Sequence, residues 1–129
     1  MHKLLLKIIN ERQLVSVMNR TKWSKLCEEF SKTHEQYINV RYKTIYSDKI
    51  GSFSPVWWNE LFEESPAIEW LDFDPVKKEH RGRLVSDKKT DISAIILQIL
   101  EEQNIPYSIE KSYFRVWGYI SENQRPIFE

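Results

Sequence analysis

The sequence predicts an α+β fold: one compact domain of about four mostly antiparallel strands packed against two or three helices. Three observations carry this. Apolar residues recur at helical spacing around 20–32 and again around 91–104. Around 37–46 and 113–120 the period drops to two, as it does on a half-buried strand. Between them, "AIEWLDFDP" is apolar on both faces, the pattern of an interior strand covered on both sides.

The elements follow in order. Leu4, Leu5, Ile8, Ile9, Arg12 and Val15 suggest a first helix over 3–17. In the second helix Trp23, Leu26, Cys27 and Phe30 share one face, and Asn19 or Thr21 stands where a cap is needed. On the strand over 37–46, Ile38, Val40, Tyr42, Thr44 and Tyr46 line one side; Asn39, Arg41 and Lys43 line the other. "SPVWWNELFEESP" reads as a short helix starting at Ser54-Pro55, with Trp58, Leu61 and Phe62 on one face, though its Val-Trp-Trp run also has strand propensity. After the interior strand, the polar residues 76–90 read as a charged surface loop. The next helix has the longest apolar stripe, Ile92, Ile95, Ile96, Ile99 and Leu100, with Thr90 or Asp91 as its cap. A hairpin then joins 105–109 to 113–120, and 121–129 is a tail. The expected core contains Trp23, Leu26, Phe30, Ile95, Ile96 and Ile99.

Composition narrows the function. At 129 residues with 41% apolar side chains, a single domain over 1–129 buries a sufficient core without disulfides or metal. Nineteen basic residues balance nineteen acidic ones, unlike the strongly basic footprint of a dedicated nucleic-acid binder. The balance is uneven, however. Residues 60–74 carry six carboxylates and no base, while 77–89 carry six bases and two acids. No stretch approaches the roughly 20 apolar residues that span a bilayer, and no membrane partner is expected. "MHKLLLKIIN" lacks the cleavage site of a signal peptide, and a lone cysteine suits a reducing cytoplasm.

Three pieces, "NRTKW" at 19–23, "IEWLDF" at 68–73 and "IPY" at 105–107 followed by "FRVWGY" at 114–119, resemble an uncharacterised bacterial family, a domain of unknown function. Its pattern is N-x-T-K-W, then I-E-W-L-[DE], then I-P-[FY] and a closing R-[IV]-[YW]-G-Y strand. The resemblance covers residues 18–120. It implies the fold and a bacterial origin, and it brings no catalytic residues. The segments 1–17 and 76–90 stand out as additions to the pattern.

Chemistry has few places to sit. His2, His34 and His80 are scattered without ligand spacing, so no metal and no cofactor is expected. Asp72 and Asp74 share a strand face as in a hard-cation site, but they also read as a charged strand end. Cys27 lies on an apolar face and reads as core rather than nucleophile. No G-x-S-x-G and no phosphate loop is present, and no catalytic residue is assigned. On the closing strand, Phe114, Val116 and Ile120 point one way, with Gly118 among them leaving room for a helix. Tyr113, Arg115, Trp117 and Tyr119 point the other way. If uncovered they form a contact strip of the residue types enriched at hot spots.

The leading expectation is therefore a non-enzymatic cytoplasmic protein–protein interaction module of the immunity type. Glu63, Glu64 and Glu69 would steer its partner. The alternative is an RNA-binding module that stacks bases on the aromatic strip and grips phosphates with Lys77, Lys78, Arg81 and Arg83. A second alternative is an enzyme drawing on the acidic cluster at 60–74.

Overall fold

The computed structural model describes residues 3–33 and 38–129. Helix α1 spans Lys3–Arg12 and is shorter than its apolar spacing suggested. Gln13 turns left-handed (φ 53°), the Leu14 N–H returns to the Ile9 carbonyl, and the chain leaves as a short strand β1, Val15–Ser16. Val15 belongs to that strand because Ile120 pairs with it, which the local spacing could not reveal. Helix α2, Arg20–Ser31, is capped by the Asn19 side chain, which accepts from the Lys22 N–H. It buries the expected Trp23, Leu26, Cys27 and Phe30.

Strand β2 spans Val40–Thr44. Ser54 does not cap a helix as expected; its backbone bridges to Val40. Helix α3 starts later, at Trp58, and runs to Glu64 before a 3-10 turn at Ser65–Ala67. Strand β3, Ile68–Phe73, is buried along its whole length.

The expected loop at 76–90 is instead a two-stranded ribbon. Strand β4 (Val76–Glu79) pairs with β5 (Lys88–Asp91), and the Ile92 N–H closes its base on the Pro75 carbonyl. Such a ribbon is held by backbone ladder bonds and cross-strand pairs such as Glu79 opposite Lys88, so it needs no apolar stripe. Helix α4, Ser93–Glu102, follows, and Asp91 accepts from the Ser93 N–H at its start. Strand β6 (Ser108–Glu110) turns through left-handed Lys111 into β7 (Tyr113–Trp117). Strand β8, Tyr119–Ile120, then pairs with β1.

The main sheet is antiparallel in the order β2-β3-β7-β6, which makes β3 interior as its composition predicted. One face meets α2, α3 and α4. Val40, Leu71, Phe73, Phe114 and Val116 pack there with Trp23, Leu26, Phe30, Leu61, Ile96 and Leu100, and Phe30 stacks 4.5 Å from Phe73. Ile95 and Ile99 are only partly buried and flank this core. A second cluster under α1 joins Leu5 and Leu14 to Ile45 and Tyr119. Gly118 sits where a Cβ would overlap the Ile68 carbonyl oxygen. The space it preserves thus serves first a neighbouring strand's backbone and then helix α2, whose Trp23 ring stands 3.4 Å from the same point.

Candidate functional site

The sheet face turned away from α2, α3 and α4 carries most of the residues singled out by sequence, and it is closed. Cross-strand register brings Arg41, Asp72 and Arg115 into one row, with Lys43, Trp70 and Trp117 in the next. Asp72 is fully buried. Arg115 donates to it twice, from Nε at 2.6 Å and Nη2 at 3.0 Å, and Arg41 Nε adds a third bond at 3.1 Å. The Arg115 guanidinium also lies 3.8 Å over the Trp70 ring, and the Arg41 guanidinium lies against both Phe53 and Tyr113, whose rings pack on each other. The Trp117 indole N–H donates to Ser108 Oγ, whose hydroxyl donates to Glu110.

Glu69 reaches this face through a β-bulge. Lys43 pairs with Trp70 but Thr44 pairs with Ile68, so one extra residue stands in β3. Strict alternation from Leu71 and Phe73 would have sent Glu69 into the core; the bulge re-aims it outward and returns Ile68 to the core. There Glu69 accepts from Arg12 at 2.7 Å and Lys43 at 2.9 Å. Burial alone would raise its carboxyl pKa, but these two cations more than offset burial and hold it below the usual carboxylate range. A carboxyl depressed on folding stabilises the fold above the unfolded value, about 4.3 for Glu, and that stabilisation is lost as pH falls through the folded value. Glu69→Gln should therefore flatten the acid limb of a melting-temperature profile. An unchanged limb below about pH 4 would show that the pair contributes nothing.

Two expectations are corrected here. Trp117 is 4% exposed and Tyr119 is buried under α1 with its hydroxyl on the Pro66 carbonyl, so these rings offer no open strip. Tyr113 packs on Phe53, and Arg115 is committed to Asp72. Glu69, buried and doubly paired, cannot steer a partner. A base could stack on Trp117 only if this face opened. Five of the six acids of 60–74 divide in two: Glu69 and Asp72 are neutralised inside, while Glu60, Glu63 and Glu64 stand exposed on α3. Asp74 accepts from the Val76 N–H at the turn into the ribbon. Among the described residues no group of three or more His, Cys, Asp and Glu is placed to hold a metal. His80 pairs with Asp87 on the ribbon; His2 and His34 lie outside the described residues.

The open surface is elsewhere. A groove of about 670 Å³ runs between α2 and the start of α3. Cys27 and Phe30 lie on its α2 side; Pro55, Val56, Trp58 and Phe62 form the opposite wall. Trp57 stands at its lip and is 75% exposed, far more than the other described tryptophans. Glu28 lines one side, and Glu63 is exposed beside Phe62 on α3. Arg20 is occupied over the Phe62 ring, 4.9 Å from its centroid. The sequence held a misleading signal for Trp57. At helical spacing Trp57 stands four residues before Leu61 and would share its face, but it precedes the first turn of α3 and stays in solvent.

Burial pushes the Cys27 thiol up to about 12, so it stays protonated at the groove wall. It should react with a small thiol reagent at neutral pH far more slowly than an unfolded-chain thiol. Equal rates in native and denatured protein would contradict this placement.

The ribbon carries the six bases of 77–89. Lys78, Arg81, Arg83, Lys88 and Lys89 are exposed, while Lys77 is turned toward Glu79 at 3.1 Å. Arg81 donates to the Ser86 carbonyl and so shapes the tip.

A family model described as a family of unknown function (DUF6678) matches residues 5–123. No curated protein and no solved structure matches the chain.

Proposed function

The chain belongs to this family of unknown function, and from its open surfaces we propose that it is a non-enzymatic protein-binding module that docks its partner in the groove between α2 and α3. The observation that carries this reading is Trp57, a tryptophan left bare at the lip of an apolar groove. Tryptophan is enriched among the few residues that dominate binding energy, and here it is continuous with the apolar groove rather than a single scattered side chain. Glu28 and Glu63 beside the groove favour a segment with apolar anchors flanked by Lys or Arg. The size of the chain and the segregation of its charges fit a small neutralising protein of the immunity kind. A lone buried thiol suits a reducing, cytoplasmic setting.

RNA binding ranks lower because the aromatic face is closed, which leaves only the ribbon's cations for phosphates. An acid–base enzyme ranks lower because Glu69 and Asp72 are each committed to two cationic partners.

Peptide display tests the reading. Random peptides selected on the native protein should converge on apolar residues flanked by bases, and Trp57→Ala should weaken their binding about tenfold or more. Selection of acidic peptides, or equal enrichment on Trp57→Ala, would overturn it.

A further inference from the structure

We propose that the groove also receives a second copy of this chain, through the tip of its β4–β5 ribbon. This rests on the docking surface proposed above and names one occupant for it. The ribbon tip has the chemistry that the groove selects. Leu84 is fully exposed and Val85 half exposed, two adjacent aliphatic side chains at the end of a projecting arm. Arg81 and Arg83 stand just before them, and Lys88 and Lys89 follow beyond Ser86 and Asp87.

The stem adds a second observation. Lys78 stands directly opposite Lys89 across the ladder. Like charges facing each other across a strand pair weaken it unless an outside counter-charge is supplied. Among the described residues no ion pair holds Lys78, Lys89 or Arg83. The groove provides the missing complement: apolar walls from Val56, Trp57 and Phe62, with Glu28 and Glu63 beside them. Net charge is zero, so two copies approach without overall repulsion. Each copy carries one tip and one groove. A two-fold axis then makes both contacts at once and closes the pair, whereas a single head-to-tail contact would leave an open chain. Each contact alone is small, so the dimer is weak and concentration-dependent.

Sedimentation equilibrium from about 1 µM to about 1 mM tests this over the range of weak association. The expected result is a reversible monomer–dimer equilibrium that weakens as salt rises. Two charge-swapped variants, Arg83→Glu/Lys89→Glu and Glu28→Lys/Glu63→Lys, should each dimerise about tenfold or more weakly. Mixed in equal amounts they should regain association, because each then offers the charge the other lacks. Leu84→Ser should weaken the dimer without changing any charge. All five side chains are exposed, and circular dichroism confirms that each variant is folded. A chain that stays monomeric throughout, swaps without effect, or a mixture that fails to recover would overturn the dimer. Peptide selection by a persistently monomeric chain would remove the dimer and leave the docking surface standing; loss of both would remove both.

Discussion

Asp72→Ala should lower the free energy of unfolding by about 3–5 kcal/mol, the range for removing one partner of a buried ion pair. Asp72 is fully buried between two arginines, and Arg115 is only 16% exposed at its side chain. Without the carboxylate, two guanidiniums remain on a covered face with nothing to accept their N–H groups. The Arg115 stack on Trp70 would not compensate, because a cation–π contact of this kind is worth about 0.5–2 kcal/mol and is already present. Denaturant unfolding monitored by circular dichroism gives the number, since a single domain of this size is expected to unfold in one step. Asp72→Asn keeps the shape and some of the hydrogen bonds, so it should cost less. A loss under about 1 kcal/mol for Asp72→Ala would mean that the arginines find solvent or another acceptor, and that this face is looser than described.

Gly118→Ala should cost about 3 kcal/mol or more, at the upper end of what overpacking does. An added Cβ meets the Ile68 carbonyl, which belongs to a strand buried along its whole length and cannot move aside alone. The same residue donates its N–H to the Glu69 carbonyl at 2.8 Å and accepts from the Val17 N–H at 2.9 Å. A shift at Gly118 would therefore disturb the bulge that aims Glu69 and the β1–β8 pairing together. A melting temperature within a degree or two of the parent would show that the strands are further apart than this geometry requires.

Sequence pattern made the packed elements legible. Trp23, Leu26, Cys27 and Phe30 announced α2 because burial on one helical face leaves a 3.6-residue period. "IEWLDF" announced an interior strand because both of its faces are covered. What pattern missed depends on partners distant in sequence. The ribbon at 76–91 is held by backbone pairing and leaves no apolar trace. Glu69 looked like a surface charge because nothing local shows that a bulge turns it toward Arg12 and Lys43. Trp117 looked like an open platform because Ser108 and the neighbouring rows cover it only once β6 and β3 are in place. Exposure was misjudged for the same reason. Aromatic residues attract attention wherever they alternate, but exposure is decided by tertiary packing, and packing leaves Trp57 rather than Trp117 in solvent.

The indole N–H signals of the five tryptophans, followed by nuclear magnetic resonance, separate the two surfaces in a single titration. A display-selected peptide is added to the native protein and each indole is read. The account predicts that Trp57 and Trp58 shift with saturation while Trp70 and Trp117 stay in place. Movement of Trp70 and Trp117 with Trp57 unaffected would contradict it, and would make the ion-paired face of the sheet the surface that partners reach.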